Sequence, residues 1–493
     1  MNTSFFHLLS TSLMIVATTG CDKNPSASMS REMSVISGEP GSVFLELCDF
    51  VGDPTSKPSV NRTIRIIREK VGGDTCDESK RNLVRLTNLD LSNNDIVSIL
   101  PLAGLTNLTS LDLSSNAIFD LRPLAGLVNL TELLLDYNDI VSLSPLTGLA
   151  NLTSLDLYSN DIENLSPLTN LNKLTSLHLG SNKIVNLAPL SGLTSLRTLF
   201  LSYNKIENLE PLANLTNLAD LGISYNKIVD MAPLASLRNL NSLAFSDNLV
   251  EDLFPIAGLD SITRLTGSNN KIENLSPLAG LTRLVHLSLY RCGIDDLTPL
   301  AGLTNLSELF LSYNNISNLE SLSGLTSLKY LSLGENQIED LGPLADLTNL
   351  AHLYLTSNRI SNLMPLARLN KLTKLDLGSN QIVEVSPLSQ LSSLDSLGLE
   401  KNKIVSLEPL EGLVELTYLY LEANQITSVT PLVKLTNLIS LFLFSNRIVD
   451  VSSLGELYKV KTLPLWDNPI VRSEATCPTV SRSQELNRFC SRL

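Results

Sequence analysis

The chain has 493 residues, with 36 Lys and Arg against 50 Asp and Glu, so its formal net charge is −14. This excess of negative charge repels a phosphate backbone and excludes sequence-independent nucleic-acid binding. Hydrophobic residues make up 43% of the chain and aromatic residues only 5%. That balance excludes a largely disordered chain and predicts a core of aliphatic side chains.

Residues 1–21 are typical of a secretory signal. The apolar stretch from Leu8 to Ala17 is too short for a permanent membrane-spanning helix, and small residues ending in Gly20-Cys21 follow it. This end resembles the lipobox of bacterial lipoproteins, in which the cysteine becomes the acylated first residue. It departs from that pattern because no Lys or Arg precedes it and Thr18 stands where Leu is usual. We expect lipidation of Cys21 and membrane anchoring, with ordinary signal cleavage as the alternative.

Two further segments precede the main body of the chain. Residues 22–43 are rich in Ser, Pro, Gly and charge, which predicts a flexible tether. Residues 44–82 predict an N-terminal cap, in which apolar residues from Ile64 to Val71 recur about a helical turn apart and indicate one short amphipathic helix.

From residue 83 to residue 468 one pattern recurs every 22 residues. A representative unit, from Leu108 to Leu127, follows L-x-x-L-x-L-x-x-N-x-I-x-x-L-x-P-L-x-x-L. Its asparagine position is occupied in turn by Asn94, Asn116, Asn138, Asn160, Asn182, Asn204, Asn226, Asn248, Asn270, Cys292, Asn314, Asn336, Asn358, Asn380, Asn402, Asn424, Asn446 and Asn468. This is the leucine-rich repeat pattern. It predicts an α/β solenoid of horseshoe shape, with about 18 parallel strands on the concave face and extended or 3₁₀ segments on the convex side.

The spacing within a unit assigns a role to each position. Leu111 and Leu113 alternate with polar residues as in a strand, so they are expected to point into the core while their neighbours point outward. The asparagine amide can bond backbone groups of neighbouring coils, so the eighteen positions are expected to form a buried ladder. Cys292 is interpreted as an alternative ladder residue, a buried inert thiol, rather than as a nucleophile.

One pair of neighbouring repeats departs from the pattern. The second strand leucine is replaced by Phe245 and, one repeat later, by Gly267. These positions stack in the predicted solenoid, so we expect the phenylalanine ring to fill the space that the glycine leaves. Val250, which replaces the usual Ile in the same coil, is consistent with local repacking.

A stack of repeats needs covered ends, and the cysteines indicate how they are covered. Apart from Cys21 and Cys292, four cysteines remain, and two of their three possible pairings would bridge opposite ends of the solenoid. The remaining pairing joins Cys48 to Cys76 and Cys477 to Cys490. We therefore expect a second cap over residues 469–493 and an oxidising compartment.

The sequence contains no recognisable catalytic motif. There is no H-E-x-x-H, no G-x-S-x-G in a strand-turn-helix setting, no phosphate-binding glycine loop and no Cys/His metal cluster. His286 precedes Cys292 by six residues, but it occupies an outward position and the cysteine a buried one, so the two should face apart. We predict a protein that is not an enzyme and that has no cofactor.

Aromatic residues concentrate at the outward strand positions, which lie six, four and two residues before the ladder position, and at the loop position just before it. The candidate ligand-binding residues are Phe310, Tyr313, Tyr330, Tyr354, Tyr418, Tyr420, Phe442, Phe444 and Trp466. The last five should form one exposed apolar patch, which favours a protein partner. Cross-strand stacking that merely stiffens the sheet is the alternative, and a glycan ligand is a variant of the binding hypothesis. The acidic outward residues of the N-terminal half are interpreted as a solvated face rather than a metal site: Glu132, Asp136, Asp156 and Asp220.

Over residues 83–468 the chain resembles the internalin-like leucine-rich repeat proteins of bacteria. The tail from Leu465 to Ile470, with Cys477 and Cys490, is similar to the C-terminal cap of secreted members. The resemblance implies a surface-exposed, internalin-like protein that binds a protein ligand through its concave face. We expect no immunoglobulin-like domain or wall-sorting segment and carry over no role in host invasion.

Other functions remain open at this stage. A structural or envelope-organising lipoprotein without one partner, a glycan-binding module, and a module like the intracellular phosphatase regulators with 22-residue units are the alternatives. We expect a monomer in the bacterial cell envelope, lipid-anchored or secreted.

Overall fold

The structure is a computed structural model that describes residues 39–49, 51, 57–470, 473, 476–477 and 482–492. The predicted signal, the lipidation of Cys21 and nearly all of the predicted tether lie outside these residues.

The repeats form one open parallel sheet, as predicted. Each strand pairs with the strand of the next repeat at an offset of 22 residues, so that Leu89 lies beside Leu111 and Leu111 beside Leu133. In the described part of the chain the sheet has 17 strands. They are β1 Asn88–Asp90, β2 Ser110–Asp112, β3 Glu132–Leu134, β4 Ser154–Asp156, β5 Ser176–His178, β6 Thr198–Phe200, β7 Asp220–Gly222, β8 Ser242–Ala244, β9 Arg264–Thr266, β10 His286–Ser288, β11 Glu308–Phe310, β12 Tyr330–Ser332, β13 His352–Tyr354, β14 Lys374–Asp376, β15 Ser396–Gly398, β16 Tyr418–Tyr420 and β17 Ser440–Phe442.

The eighteenth repeat contributes a single bridge instead of a strand. Thr462 pairs with Ser440, and the chain then reaches Pro464 at what would be the third strand position. Proline has no N–H to donate to the neighbouring strand, so the regular strand pairing is interrupted there. The carbonyl oxygen of Pro464 still accepts the N–H of Leu443 at 3.2 Å.

Most ladder positions form the predicted buried ladder, and the exceptions are five half-buried asparagines: Asn94, Asn116, Asn204, Asn226 and Asn468. The Asn160 amide donates to the carbonyl oxygens of Leu135 and Leu157 at 3.0 and 3.2 Å, and its Oδ1 accepts the N–H of Ile140 at 2.9 Å. Each such amide therefore joins two coils through backbone groups that would otherwise be buried without partners. The leucines and isoleucines around the ladder are almost completely buried and form one continuous core.

A left-handed residue precedes every ladder position. Its φ lies between +52° and +61° in all eighteen repeats, although none of these residues is a glycine. This conformation costs a side-chain-bearing residue free energy, and it persists where the surrounding structure determines it. Here the ladder bonds on either side supply that constraint, so even Tyr137 and Tyr313 adopt it.

The side opposite the sheet consists of 3₁₀ segments, in agreement with the prediction. Proline stands at the second position of most of them, where its fixed φ fits and its missing N–H needs no partner. In the described ranges these segments are Leu100–Leu102, Arg122–Leu124, Ser144–Leu146, Ser166–Leu168, Ala188–Leu190, Glu210–Leu212, Ala232–Ser236, Phe254–Ile256, Ser276–Leu278, Thr298–Leu300, Glu320–Leu322, Gly342–Leu344, Met364–Arg368, Ser386–Gln390, Glu408–Leu410, Thr430–Lys434 and Ser452–Glu456.

Disulfide-linked caps cover both ends, and the predicted pairing of Cys48 with Cys76 and of Cys477 with Cys490 is confirmed. The N-terminal cap contains three helices where the sequence predicted one: α1 Ser42–Asp49, α2 Pro58–Val71 and α3 Cys76–Leu83. Helix α2 is the predicted one. The other two are only eight residues long, and too few of their residues are buried to give a visible apolar period.

The C-terminal cap carries one further helix in its described part, α4 Gln484–Cys490, whose Leu486 and Cys490 are buried. No helix within the described ranges is long and apolar enough to cross a membrane.

Candidate ligand-binding face

The concave face is defined here by the four outward positions of each repeat, at six, four, two and one residues before the ladder position. The strand positions among them alternate with buried leucines and therefore face solvent. Because the register offset is constant, side chains at the same position of successive repeats form rows along the solenoid. Neighbours within a row lie about 4.8 Å apart at the backbone, so large side chains in one row come into contact.

A run of rings occupies the middle of this face and is called the central cluster: His286, Phe310, Tyr330, His352 and Tyr354. Phe310 lies 4.6 Å from Tyr330 between ring centroids, and Tyr330 lies 5.3 Å from both His352 and Tyr354. His286 joins the cluster at 5.3 Å from Phe310. Three of the predicted site residues are thus brought together on strands β11 to β13.

Tyr313, also a predicted site residue, forms a separate pair. Its ring lies 4.8 Å from that of Tyr290, and both side chains belong to the loop edge of the concave face.

The predicted C-terminal patch is organised as two stacked pairs. Tyr420 stacks on Phe442 with centroids 5.1 Å apart and planes 21° apart, and Phe444 stacks on Trp466 at 4.7 Å and 19°. Each pair lies within one row and joins neighbouring repeats. Tyr418, on the outer row, is exposed and makes no ring contact within the described part of the chain.

A group of carboxylates, which the sequence analysis did not single out, lies beside the first pair. Glu400 occupies the space next to Gly378 and Gly398, close to Asp376. Burial, followed by the charge of Asp376, raises the pKa of Glu400 to about 7, and burial raises the pKa of Glu422. The signal for this group is a glycine in one repeat followed by an acidic residue in the same row of the next.

A second arrangement that the sequence analysis missed is a cavity of about 300 Å³ at the amino-terminal half of the concave face. Its lining residues are Asp136, Asp156, Tyr158, His178, Gly180, Phe200, Ser202 and Tyr203. The residues of the cavity come from four successive repeats, so the register of the sheet alone brings them together. The available sequence signal is an acidic residue, Asp156, followed by His178 in the same row.

Two histidine–carboxylate pairs cross between neighbouring strands. His178 Nδ1 lies 2.9 Å from Asp156 Oδ2, and His286 Nδ1 lies 2.6 Å from Glu308 Oε2. In His352, burial and then the nearby Lys374 lower the pKa. These contacts tie the imidazoles to the sheet surface.

His286 and Cys292 face apart, as predicted. The Cys292 sulfur is buried and donates to the carbonyl oxygen of Gly267 at 3.4 Å, while burial raises the pKa of its thiol to about 11. A thiol held neutral in this way is a poor nucleophile. Over the described residues, no group of three or more His, Cys, Asp or Glu side chains is arranged to hold a metal ion.

The chain matches two family models of leucine-rich repeats. One, described as leucine-rich repeats in two copies, matches residues 84–126, 172–214 and 304–346, and the other matches residues 370–426. No protein with a curated description matches the chain.

Three solved structures are similar along most of the chain. An internalin, InlF, from Listeria monocytogenes is 34% identical over 68% of this chain and 93% of its own, with a TM-score of 0.57. A leucine-rich repeat protein of Leptospira interrogans is 27% identical over 78% and 96%, with a TM-score of 0.64. The ectodomain of the Arabidopsis receptor kinase HAESA, in complex with an IDA peptide hormone, is 25% identical over 77% and 70%, with a TM-score of 0.62.

Proposed function

The chain belongs to the leucine-rich repeat family and is internalin-like, and from this membership we propose that it is a non-enzymatic protein that binds a protein ligand through its concave face. The HAESA ectodomain, which shares the repeat architecture, is a peptide-hormone complex in its solved structure. The precedent supports a proteinaceous ligand. Which protein binds depends on the side chains that this chain exposes on its concave face.

The observation that carries the proposal is the pair of aromatic stacks at the C-terminal end of the concave face. Stacking orders Tyr420 against Phe442 and Phe444 against Trp466, yet the Trp466 side chain remains 60% exposed. Rings that are held in place before binding lose little conformational entropy when a ligand covers them. Ordered aromatic side chains of this kind dominate the binding energy of many protein interfaces.

We further propose that the protein acts in the bacterial cell envelope, as a monomer, either lipid-anchored through Cys21 or secreted. The two disulfides support an oxidising compartment.

The test is a pull-down from cell-surface extracts with the full chain, followed by affinity measurements with the purified captured protein. The binding variant replaces Tyr420, Phe442 and Trp466 with Ser. The matched control replaces Phe119, Phe254 and Tyr458 with Ser, three exposed aromatic residues outside the concave face. We expect the binding variant to weaken affinity by at least about 100-fold, since truncation of each central aromatic residue at an interface costs on the order of 1–4 kcal/mol.

The control variant should bind like the wild type. Equal capture by both variants, or no capture by the wild type, would reject the proposal and favour a structural role in the envelope. Capture on a glycan panel that depends on the same three rings would identify a sugar ligand instead.

A further inference from the structure

The cavity at the amino-terminal half of the concave face combines aromatic walls with carboxylates. Tyr158, Phe200 and Tyr203 supply the rings, and Asp136 and Asp156 supply the acidic groups. The Tyr158 ring lies over Gly180, where a Cβ would approach its Cδ2 to 3.0 Å. His178 packs against Phe200 with ring centroids 4.9 Å apart, which holds that wall in position.

The two carboxylates differ in their hydrogen-bond and ion-pair partners. Asp156 accepts the N–H of Tyr158 at 2.9 Å and lies 2.9 Å from His178 Nδ1. Asp136 has no Lys or Arg partner among the residues that the structure describes. Burial and then the charge of Asp156 raise its pKa. A partly buried carboxylate beside a second one is a site where an external cation lowers the free energy.

The concave face around the cavity is negatively charged, as a site for a cation requires. The concave positions of the first eight repeats contain no Lys or Arg, and the first basic residue in them along the chain is Arg264. The acidic residues at these positions are Asp90, Asp112, Glu132, Asp136, Asp156, Asp220 and Asp247. Such a surface attracts a basic partner and repels an acidic one.

We propose that this cavity binds an arginine side chain of the protein ligand, with the guanidinium between the aromatic walls and the carboxylates. The planar guanidinium stacks on aromatic faces and donates in pairs to carboxylate oxygens, which matches both kinds of lining residue. At about 300 Å³ the cavity lies at the lower end of the size range of ligand pockets, so it suits one side chain rather than a whole ligand.

This inference rests on the proposed function, since it assigns the chemistry of the ligand that the concave face binds. The cavity and the C-terminal stacks are separated by about twelve strand spacings of about 4.8 Å each, which is on the order of 60 Å. One ligand can contact both only if it is extended. The two anchor points are therefore independent and can be tested separately.

The test measures binding of the peptide acetyl-Gly-Arg-Gly-amide to the full chain by calorimetry or by NMR titration. The comparison peptide carries citrulline, which preserves the shape of arginine and removes its charge, and a third peptide carries lysine. Asp136→Asn is the test variant because, within the described ranges, no hydrogen bond from another residue holds its carboxylate. Asp220→Asn is the matched control, since it removes one charge from the same face outside the cavity.

We expect the arginine peptide to bind the wild type and the Asp220→Asn variant with similar affinity, and to lose at least about tenfold in affinity for the Asp136→Asn variant. The citrulline peptide should bind at least about tenfold more weakly than the arginine peptide. Equal binding of the citrulline or lysine peptide would overturn the assignment, as would an unchanged affinity for the Asp136→Asn variant. Binding that is undetectable at millimolar peptide would overturn it as well.

The result for the arginine site can be distinguished from the result for the proposed function. The peptide experiment needs no identified protein partner, and the pull-down variant leaves Asp136 unchanged. Peptide binding without protein capture would retain the arginine site and reject the proposed function. Protein capture without peptide binding would do the reverse.

Discussion

The ring of Phe245 occupies the space that a side chain at Gly267 would need. A Cβ on Gly267 would lie 2.6 Å from Cε2 and 2.8 Å from Cε1 of that ring, and closer still to its tip. Phe245 is completely buried in the continuous core. The compensation expected from the sequence of these two stacked repeats is therefore confirmed, because the ring of Phe245 occupies space that a side chain at position 267 would otherwise fill.

This packing predicts a coupled response to substitution. Phe245→Leu should lower the free energy of unfolding by about 1–2 kcal/mol because it leaves a cavity beside Gly267. Gly267→Leu alone should be at least as harmful, because the added side chain collides with the ring. The double variant should recover part of both losses. Urea unfolding of all four proteins measures the cycle, and additive effects of the two substitutions would contradict the packing.

Replacement of Cys292 with Asn should stabilise the protein. At neighbouring ladder positions an amide oxygen accepts a backbone N–H, as Asn270 Oδ1 does from Val250 at 2.9 Å, whereas at position 292 a sulfur stands beside the N–H of Ile272. Cys292→Asn should restore that hydrogen bond and raise the free energy of unfolding by about 0.5–1.5 kcal/mol. Asn358→Cys, made as the reverse control, should lower it. A Cys292→Asn variant no more stable than the wild type in urea would show that the sulfur is an adequate substitute.

The raised pKa of Glu400 should make the stability of the protein depend on pH. Its pKa rises from the ordinary 4.5 to about 7 in the folded protein, through burial and the charge of Asp376. Between these two pH values the folded state binds more protons at Glu400 than the unfolded state does, so the contribution of this group to stability is greatest below pH 4.5 and is lost as pH rises through about 7. Glu400→Gln should remove this loss. Its melting temperature relative to the wild type should therefore increase from pH 4.5 to pH 8.

The matched control for that experiment is Glu384→Gln, at an exposed position outside the concave face. Its melting temperature should follow that of the wild type at every pH. A constant difference between Glu400→Gln and the wild type across the range would show that the Glu400 carboxyl does not titrate there.

Removal of either disulfide should loosen only the end of the solenoid that it covers. The closed loops span 28 residues between Cys48 and Cys76 and 13 residues between Cys477 and Cys490. Loop-closure entropy gives about 3.5 kcal/mol for the first bridge and about 3 kcal/mol for the second. Replacing either pair with Ala should speed hydrogen exchange in the adjacent repeats and leave the central repeats unchanged, because a solenoid transmits stability only between neighbours. Uniformly faster exchange along the chain would argue against independent caps.

The regular repeat explains why so much of the architecture was predictable. Once Leu111 and Leu133 are known to be equivalent, the register of every strand pair follows, and with it the rows of the concave face. The cysteine pairing followed from the same reasoning, because only one pairing keeps each bridge at one end. The short helices α1 and α3 were not predictable, since packing against helix α2 and the first repeat stabilises them rather than an apolar period of their own.

The contacts within a row required the structure. The sequence places Tyr420, Phe442, Phe444 and Trp466 on one surface, but it does not show that they stack as two separate pairs. The same holds for the cavity between Asp136 and Phe200, whose shape depends on the direction in which the Tyr158 ring turns over Gly180. Side-chain orientation depends on neighbours one and two repeats away, and the repeat pattern contains no information about it.

The sequence by itself determined the fold, because a strict 22-residue period leaves only one way to bury the leucines and satisfy the asparagines. It also determined which side chains face solvent on the sheet. The tertiary structure decided which of those side chains touch, which carboxylate has no Lys or Arg partner among the described residues, and where a cavity opens. These properties depend on distances of a few ångströms between residues at least 20 positions apart, and only the stacked coils set those distances.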